Sequence, residues 1–147
     1  MYFKKQQKEL LTIAPEIILP EGSKYTRKIG RDCCRVTRRK KESNSSICFS
    51  KADNFVWNKK GYTSVLLGVD RLRGDLLLIF VKDGSGAHIN GKDKEGNTTT
   101  GTVCCLNYTR KLAETFGIKE GETLDLRMEI VPTLPDDDRL YYRLSRA

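Results

Sequence analysis

The sequence predicts an α+β fold, mainly β, in which two strand–helix–hairpin repeats pack into one domain behind an irregular basic N-terminal arm. Three observations carry that expectation. The order strand, helix, strand, turn, strand occurs twice, through SSICFSKADNFVW with TSVLLGVDRLRGDLLLIFV and again through GTVCCLNYTRKLAETFGIKEGETLDLRMEI with DDDRLYYRLS, and Ile47 and Val103 open the two copies. A unit this short cannot bury its own apolar face, so two copies in one chain are expected to bury it against each other. The 147 residues are 38% hydrophobic and 31% charged, which suits one sizeable core under a hydrated surface. The expected division is a basic arm over 1–41 and a two-repeat domain over 42–147, with repeat one at 45–81, a linker at 82–101 and repeat two at 102–147.

Taken in order, residues 2–11 suit an amphipathic helical turn or two. Pro15 and Pro20 break the next stretch, and Glu21-Gly22-Ser23 reads as a turn. Within 24–41, Arg35-Val36-Thr37-Arg38 alternates polar and apolar as an edge strand would, ahead of the basic run Arg38-Arg39-Lys40-Lys41 and a turn over Glu42–Ser45. Repeat one opens with a strand over Ser46–Phe49. Ser50 stands where a helix N-cap is wanted before Lys51–Trp57, and Asn58, Lys59, Lys60 and Gly61 end that helix. Ser64–Val69 and Asp75–Val81, rich in Val, Leu and Ile, predict a hairpin buried on both faces and joined by Asp70–Gly74. Residues 82–101 hold five of the 12 glycines and few large apolar residues, the composition of a mobile linker. Repeat two predicts a strand over Thr102–Leu106, Asn107 as N-cap, a helix over Tyr108–Phe116 and Gly117 as its stop, since a left-handed residue is cheapest without a side chain. Thr123–Ile130 alternates as a half-buried strand, and the turn at 132–138 returns it as Leu140–Leu144.

The longest apolar runs, Val65–Leu67 and Leu76–Val81, fall far short of the roughly 20 residues a membrane-spanning helix requires. The first residues, MYFKKQQKELL, lack a secretory apolar run, and the expectation is a cytoplasmic protein without a membrane partner. Five cysteines, Cys33-Cys34, Cys48 and Cys104-Cys105, are odd in number and partly vicinal, which fits reduced thiols, with Cys48 and Cys104 expected to be buried in strands. With no Cys-x-x-Cys and His88 as the one histidine, no metal site and no cofactor are expected. Enzymatic readings also fall away. Phe80 stands two residues before Lys82, so the acid-x-lysine triplet of metal-dependent nucleases is absent; Asp136-Asp137-Asp138 suits a hairpin tip; and Gly84–Gly91 lacks the lysine of a phosphate-cradling loop.

Charge is the strongest functional signal. Residues 1–60 hold 15 Lys or Arg against 6 Asp or Glu, whereas 61–147 hold 12 against 13. Clustered cations release counterions from a phosphate backbone, so the first part of the chain is expected to face a polyanion. Phe49 and Phe55 are expected in the core. Trp57 and Tyr62, flanking Lys59-Lys60, are candidates for a nucleic-acid or protein contact.

The run Thr100–Asn107, a short helix, and then Phe116-Gly117-Ile118-Lys119-Glu120-Gly121-Glu122-Thr123-Leu124-Asp125-Leu126 resembles the AbrB/SpoVT swapped-hairpin family of bacterial transition-state regulators and antitoxins. Gly101, Gly117, Ile118, Gly121 and Glu122 carry the resemblance, which covers 100–145. Leu106-Asn107 replaces the family's proline after its first strand, and repeat one lacks the Gly-Ile-x-x-Gly-Asp element between Trp57 and Ser64. Ser46–Ala52, SICFSKA, is similar to a strand-to-helix turn in small phage and gut-anaerobe proteins. The resemblance implies one small swapped-hairpin-like barrel, here pseudo-dimeric within one chain, with DNA contacts from Arg35, Arg38, Arg39, Lys40 and Lys41; Arg110 and Lys111 in repeat two read better as a solvated face. Together with charge, the expected nucleic-acid-binding set is Lys24, Arg27, Lys28, Arg31, Arg35, Arg38, Arg39, Lys40, Lys41, Lys59 and Lys60. The expected function is a non-enzymatic regulator bound to double-stranded DNA, with homodimerisation left open. The alternative is a phage-encoded or accessory protein that docks on an acidic or nucleic-acid-binding protein surface and inhibits a host enzyme such as a guided nuclease.

Overall fold

The computed structural model describes residues 28–147, and the features read from 1–27 lie outside them. In chain order the elements are β1 (Cys33–Thr37), a 3-10 turn (Glu42–Asn44), β2 (Ser46–Phe49), α1 (Lys51–Lys59), β3 (Ser64–Val69), β4 (Leu76–Val81), β5 (Ala87–His88), β6 (Asn90–Lys92), β7 (Thr98–Val103), α2 (Leu106–Phe116), β8 (Thr123–Val131) and β9 (Leu140–Arg146). All pairings are antiparallel, in the order β5-β3-β4-β9-β8-β1-β2-β7-β6. The two edges of this sheet are neighbouring pieces of chain: β5 pairs with β3 through Ala87 and His88, β6 pairs with β7 through Asn90 and Lys92, and Ile89 alone separates them. The sheet therefore curls into a nearly closed, mainly β barrel, leaving short edges in place of a long exposed one.

Alternation within each strand sends Cys34, Val36, Ile47, Phe49, Val65, Leu78, Phe80, Val103, Leu126, Met128 and Leu144 into the barrel. Each helix leaves and re-enters at the same end of the barrel. At one end α1 inserts Trp57, stacked on Phe80 with centroids 4.1 Å apart and edge-on to Phe49 at 5.2 Å, its indole N–H donating to the Tyr142 hydroxyl at 3.3 Å. At the other end α2 inserts Leu112 and Ala113. Ser50 caps α1 as its sequence position predicts, its hydroxyl accepting from the Asp53 N–H at 3.1 Å. Gly117, with φ of 67°, ends α2 in the left-handed region while the Ile118 N–H donates to the Ala113 carbonyl at 3.0 Å.

Several expectations are corrected. The stretch 82–101 is not a bare linker: it supplies β5, β6 and the start of β7, and Ile89 is buried. Three of its glycines, Gly86, Gly91 and Gly101, serve close packing: a Cβ at Gly91 would lie 2.1 Å from Nδ2 of the buried Asn54, whose amide donates to the carbonyls of Gly91 at 3.2 Å and Thr99 at 2.9 Å. The arm does not extend to residue 41, and β1 is not an edge strand. It lies between β2 and β8, paired on both sides, so that Cys34 and Val36 become core. Phe55 points outward at 51% exposure while Asn54 beside it is buried. The buried thiol is Cys34; Cys48 is half-buried and Cys104 exposed, because the chain leaves the barrel after Val103. Helix α2 starts at Leu106, with Cys105 and not Asn107 at its cap. On the outward face of β3 and β4, Ser64 and Val81 are buried where the hairpin leaves its base, whereas Leu66 and Ile79 are half-buried nearer the tip, so burial on both faces holds for the base of the hairpin and fades toward its turn.

Candidate nucleic-acid interface

Strand register sorts the cations by end. Thr37 lies opposite both Ser46 and Thr123, Ile47 opposite Val103, and Leu126 opposite Arg146. The loop 38–45, the start of α2, the turn 117–122 and the β3–β4 tip therefore gather at one end. Helix α1 and the turns at 93–97 and 132–139 gather at the other.

At the α2 end the loop 38–45 is held by its backbone. The Arg38 N–H donates to the Glu122 carbonyl at 2.9 Å, the Gly121 N–H donates to the Arg38 carbonyl at 2.7 Å, and the Ser45 N–H donates to the Glu42 carbonyl at 2.9 Å. Ser45, buried, accepts the Arg39 N–H on its hydroxyl at 3.0 Å. This internal bonding leaves the side chains of Arg39, Lys40 and Lys41 exposed, and among the described residues none of them forms an ion pair. Of the acids at this end, Glu42 is engaged, since both Nε and Nη2 of Arg110 donate to it, at 2.9 and 2.6 Å, whereas Glu114 on α2 and Glu120 in the following turn are exposed and form no ion pair among the described residues. The carboxylate of Glu122 turns back to accept the Lys119 N–H at 3.1 Å, leaving the exposed Lys111 and Lys119 to add positive charge to the same end.

The structure thus divides the expected set. Arg39, Lys40 and Lys41 come together as free cations, and Arg38 sits with them but spends its guanidinium on the Ile118 carbonyl at 2.8 Å, tying the end of α2 to the sheet. Arg35 does not join them as a free cation. At 15% side-chain exposure it grips Asp125 on β8 with two hydrogen bonds, 2.7 and 3.2 Å, which raise its pKa above the ordinary value despite the opposing effect of burial. Arg31 lies at the opposite end of β1, 3.9 Å from the Asp53 carboxylate that accepts the Asp32 N–H at 2.8 Å. Lys28 is exposed upstream of it. Lys59 and Lys60 are exposed at the close of α1, at the other end of the barrel from residues 39–41. Lys24 and Arg27 lie outside the described residues. Neither aromatic candidate offers a stacking platform: Trp57 is 3% exposed in the core, and Tyr62 is buried with its hydroxyl donating to the Asp138 carbonyl at 2.7 Å.

Arg110 and Lys111, expected as a solvated face, lie at this same end, Arg110 paired with Glu42 and Lys111 exposed; the sequence reading did not single out Lys119, Arg71 or Arg73. The helical spacing of Arg110 and Lys111 showed an exposed face, but their proximity to 39–41 depends on the antiparallel crossing of β1 with β8. Chemically, lysine point charges and an arginine on a rigid loop suit phosphate oxygens. Among the described residues no group of three or more His, Cys, Asp or Glu is placed to hold a metal ion, and no helix is long and apolar enough to cross a membrane. Compared with known proteins, the chain matches no protein-family model, no curated protein and no solved structure.

Proposed function

We propose that this protein is a non-enzymatic, double-stranded-DNA-binding regulator of the AbrB-like type, built as two interlocked repeats in one chain and contacting phosphates through the α2 end of its barrel. The observation that carries the reading is the group of three exposed cations, Arg39, Lys40 and Lys41, on a backbone-locked loop whose one acid is already paired with Arg110.

The strand order supports the repeat reading. Exchanging β1 with the β5–β6 segment, β2 with β7, β3 with β8 and β4 with β9 returns the same circular order of neighbours. Ile47 and Val103, the residues that open the two sequence copies, are direct cross-strand partners, and the hairpin of the first copy pairs with that of the second through β4 and β9. Such interlocking is what the resemblance to swapped-hairpin regulators implies.

Fluorescence anisotropy with a labelled mixed-sequence duplex, titrated at several salt concentrations, tests the function. Each phosphate neutralised steepens the dependence of log K on log salt by about 0.9, so binding is expected to weaken sharply with salt. Absence of binding at low salt would defeat the proposal and favour the alternative of a basic protein docked on a nucleic-acid-processing enzyme.

A further inference from the structure

The β3–β4 tip carries the most exposed large apolar side chain among the described residues: Leu72 is 97% exposed. It is not a frayed end. Asp70 accepts the N–H groups of Leu72 at 2.9 Å and Arg73 at 3.4 Å on one carboxylate oxygen, its own N–H donates to the Asp75 carbonyl at 2.8 Å, and Gly74 closes the turn on the Asp70 carbonyl at 2.6 Å with φ of 75°. These hydrogen bonds fix the backbone of the turn from which the leucine projects. Arg71 and Arg73 flank it, Arg71 without an ion pair among the described residues and Arg73 with its Nε 3.2 Å from the Asp75 carboxylate. The tip's two carboxylates would repel phosphates if bare, but Arg143 lies 3.7 Å from Asp70 and 3.2 Å from Asp75. The tip is also at the same end of the barrel as Arg39, Lys40 and Lys41.

We infer that this tip is a wedge: resting on the duplex-binding reading above, Leu72 enters between base steps of the DNA held by the cationic end, with Arg71 and Arg73 on the flanking phosphates, and kinks the duplex. An apolar side chain inserted from the minor groove partly unstacks a step and bends DNA by about 20–90°, and the flanking cations offset the cost of unstacking. A smooth phosphate-binding surface needs no apolar projection, and an apolar contact with a protein groove needs no arginine on either side; the combination on a rigid hairpin fits a nucleic-acid step.

The test is end-to-end energy transfer across a doubly labelled duplex of about 30 base pairs, a length over which a kink of that size is resolved, with binding measured on the same samples, for the native protein and for Leu72→Ala, Leu72→Gln and Leu134→Ala. Leu134, 74% exposed at the opposite end, controls for loss of a surface leucine. The native protein and Leu134→Ala are expected to shorten the end-to-end distance; both Leu72 variants are expected to bind within about tenfold, with the same salt slope, and leave the duplex straight. Native protein that binds without bending, or Leu72 variants that bend equally, overturns the wedge while leaving duplex binding intact. Native protein that does not bind DNA overturns both. Leu72-dependent sedimentation with phosphatidylserine vesicles in the absence of bending would overturn the wedge by assigning the tip to a lipid surface.

Discussion

Asn54→Ala should be among the more damaging single changes in this protein although it removes no apolar contact of consequence. Asn54 is 2% exposed, and its amide spans the carbonyls of Gly91 and Thr99, joining α1 to the two strands on either side of the 93–97 turn. Each hydrogen bond contributes about 1 kcal/mol net, and leaving buried carbonyls unpaired adds a desolvation cost of similar size, so the change should cost about 2–4 kcal/mol. For a chain of this length that corresponds to a fall in Tm of roughly 10 °C. Gly91→Ala alone should cost about 1–3 kcal/mol, because the new Cβ would lie 2.1 Å from Asn54 Nδ2 with nowhere for that side chain to retreat. The two changes act through one contact, so the double variant should lose less than the sum of the singles by about 1–2 kcal/mol. Urea unfolding of the native protein, both single variants and the double variant, followed by far-UV circular dichroism, measures the cycle. Additive losses would refute the packing of Asn54 against Gly91, and with it the account of why β6 contains a glycine.

Other consequences arise from the same geometry. Arg35→Gln should lower stability by about 1 kcal/mol through loss of the bidentate pair with Asp125, yet leave the salt slope of duplex binding unchanged; a shallower slope would return Arg35 to the interface. In native protein Cys104 should react with a thiol reagent well before the buried Cys34, as mass spectrometry of partially labelled protein would report. Burial raises the Cys34 pKa above its ordinary 9.0, so below that pH the thiol is neutral folded or unfolded; above it the unfolded state releases the proton first and stability should fall, a decline that Cys34→Ala should flatten in urea titrations between about pH 8 and 10.5. The single tryptophan should emit as a buried indole and redden on unfolding, with Trp57→Phe better tolerated than Trp57→Ala, which should cost about 3–5 kcal/mol.

Much of the fold was legible because its apolar strands obey the rules for their period. Ser46–Phe49, Ser64–Val69 and the strand beginning at Thr123 stand where alternation or apolar content places them, and Ser50 and Gly117 bound their helices by chemistry that is local in sequence. The missed pieces depend on partners far along the chain. β5 and β6 carry no period-two signal because Gly91 makes room for Asn54, so the strand looks like a linker until the helix above it is known. β1 looks like an edge strand because Arg35 points away from the core, and it is the remote Asp125 that stabilises an outward arginine on an inner strand. Phe55 misses its expected place in the core for a similar reason: the neighbouring Asn54 takes the buried position because two strand carbonyls satisfy its amide, where hydropathy alone favours the phenylalanine. For the proposed interface, charge pointed to the loop at 39–41 and to Lys59 and Lys60 alike, and register places the two groups at opposite ends of the barrel.

That separation gives the most direct test of the central claim. Two triple variants remove equal charge from opposite ends: Arg39→Gln, Lys40→Gln and Lys41→Gln beside α2, and Lys51→Gln, Lys59→Gln and Lys60→Gln along α1, all at exposed positions. Measured as duplex affinity against salt, the first set should lower the magnitude of the slope by roughly 2–3 and weaken binding at low salt by at least about tenfold, while the second should leave the slope within about 0.5 of the native value. Equal losses from both sets would mean that net charge alone drives binding, and a larger loss from the α1 set would place the interface at the wrong end of the barrel.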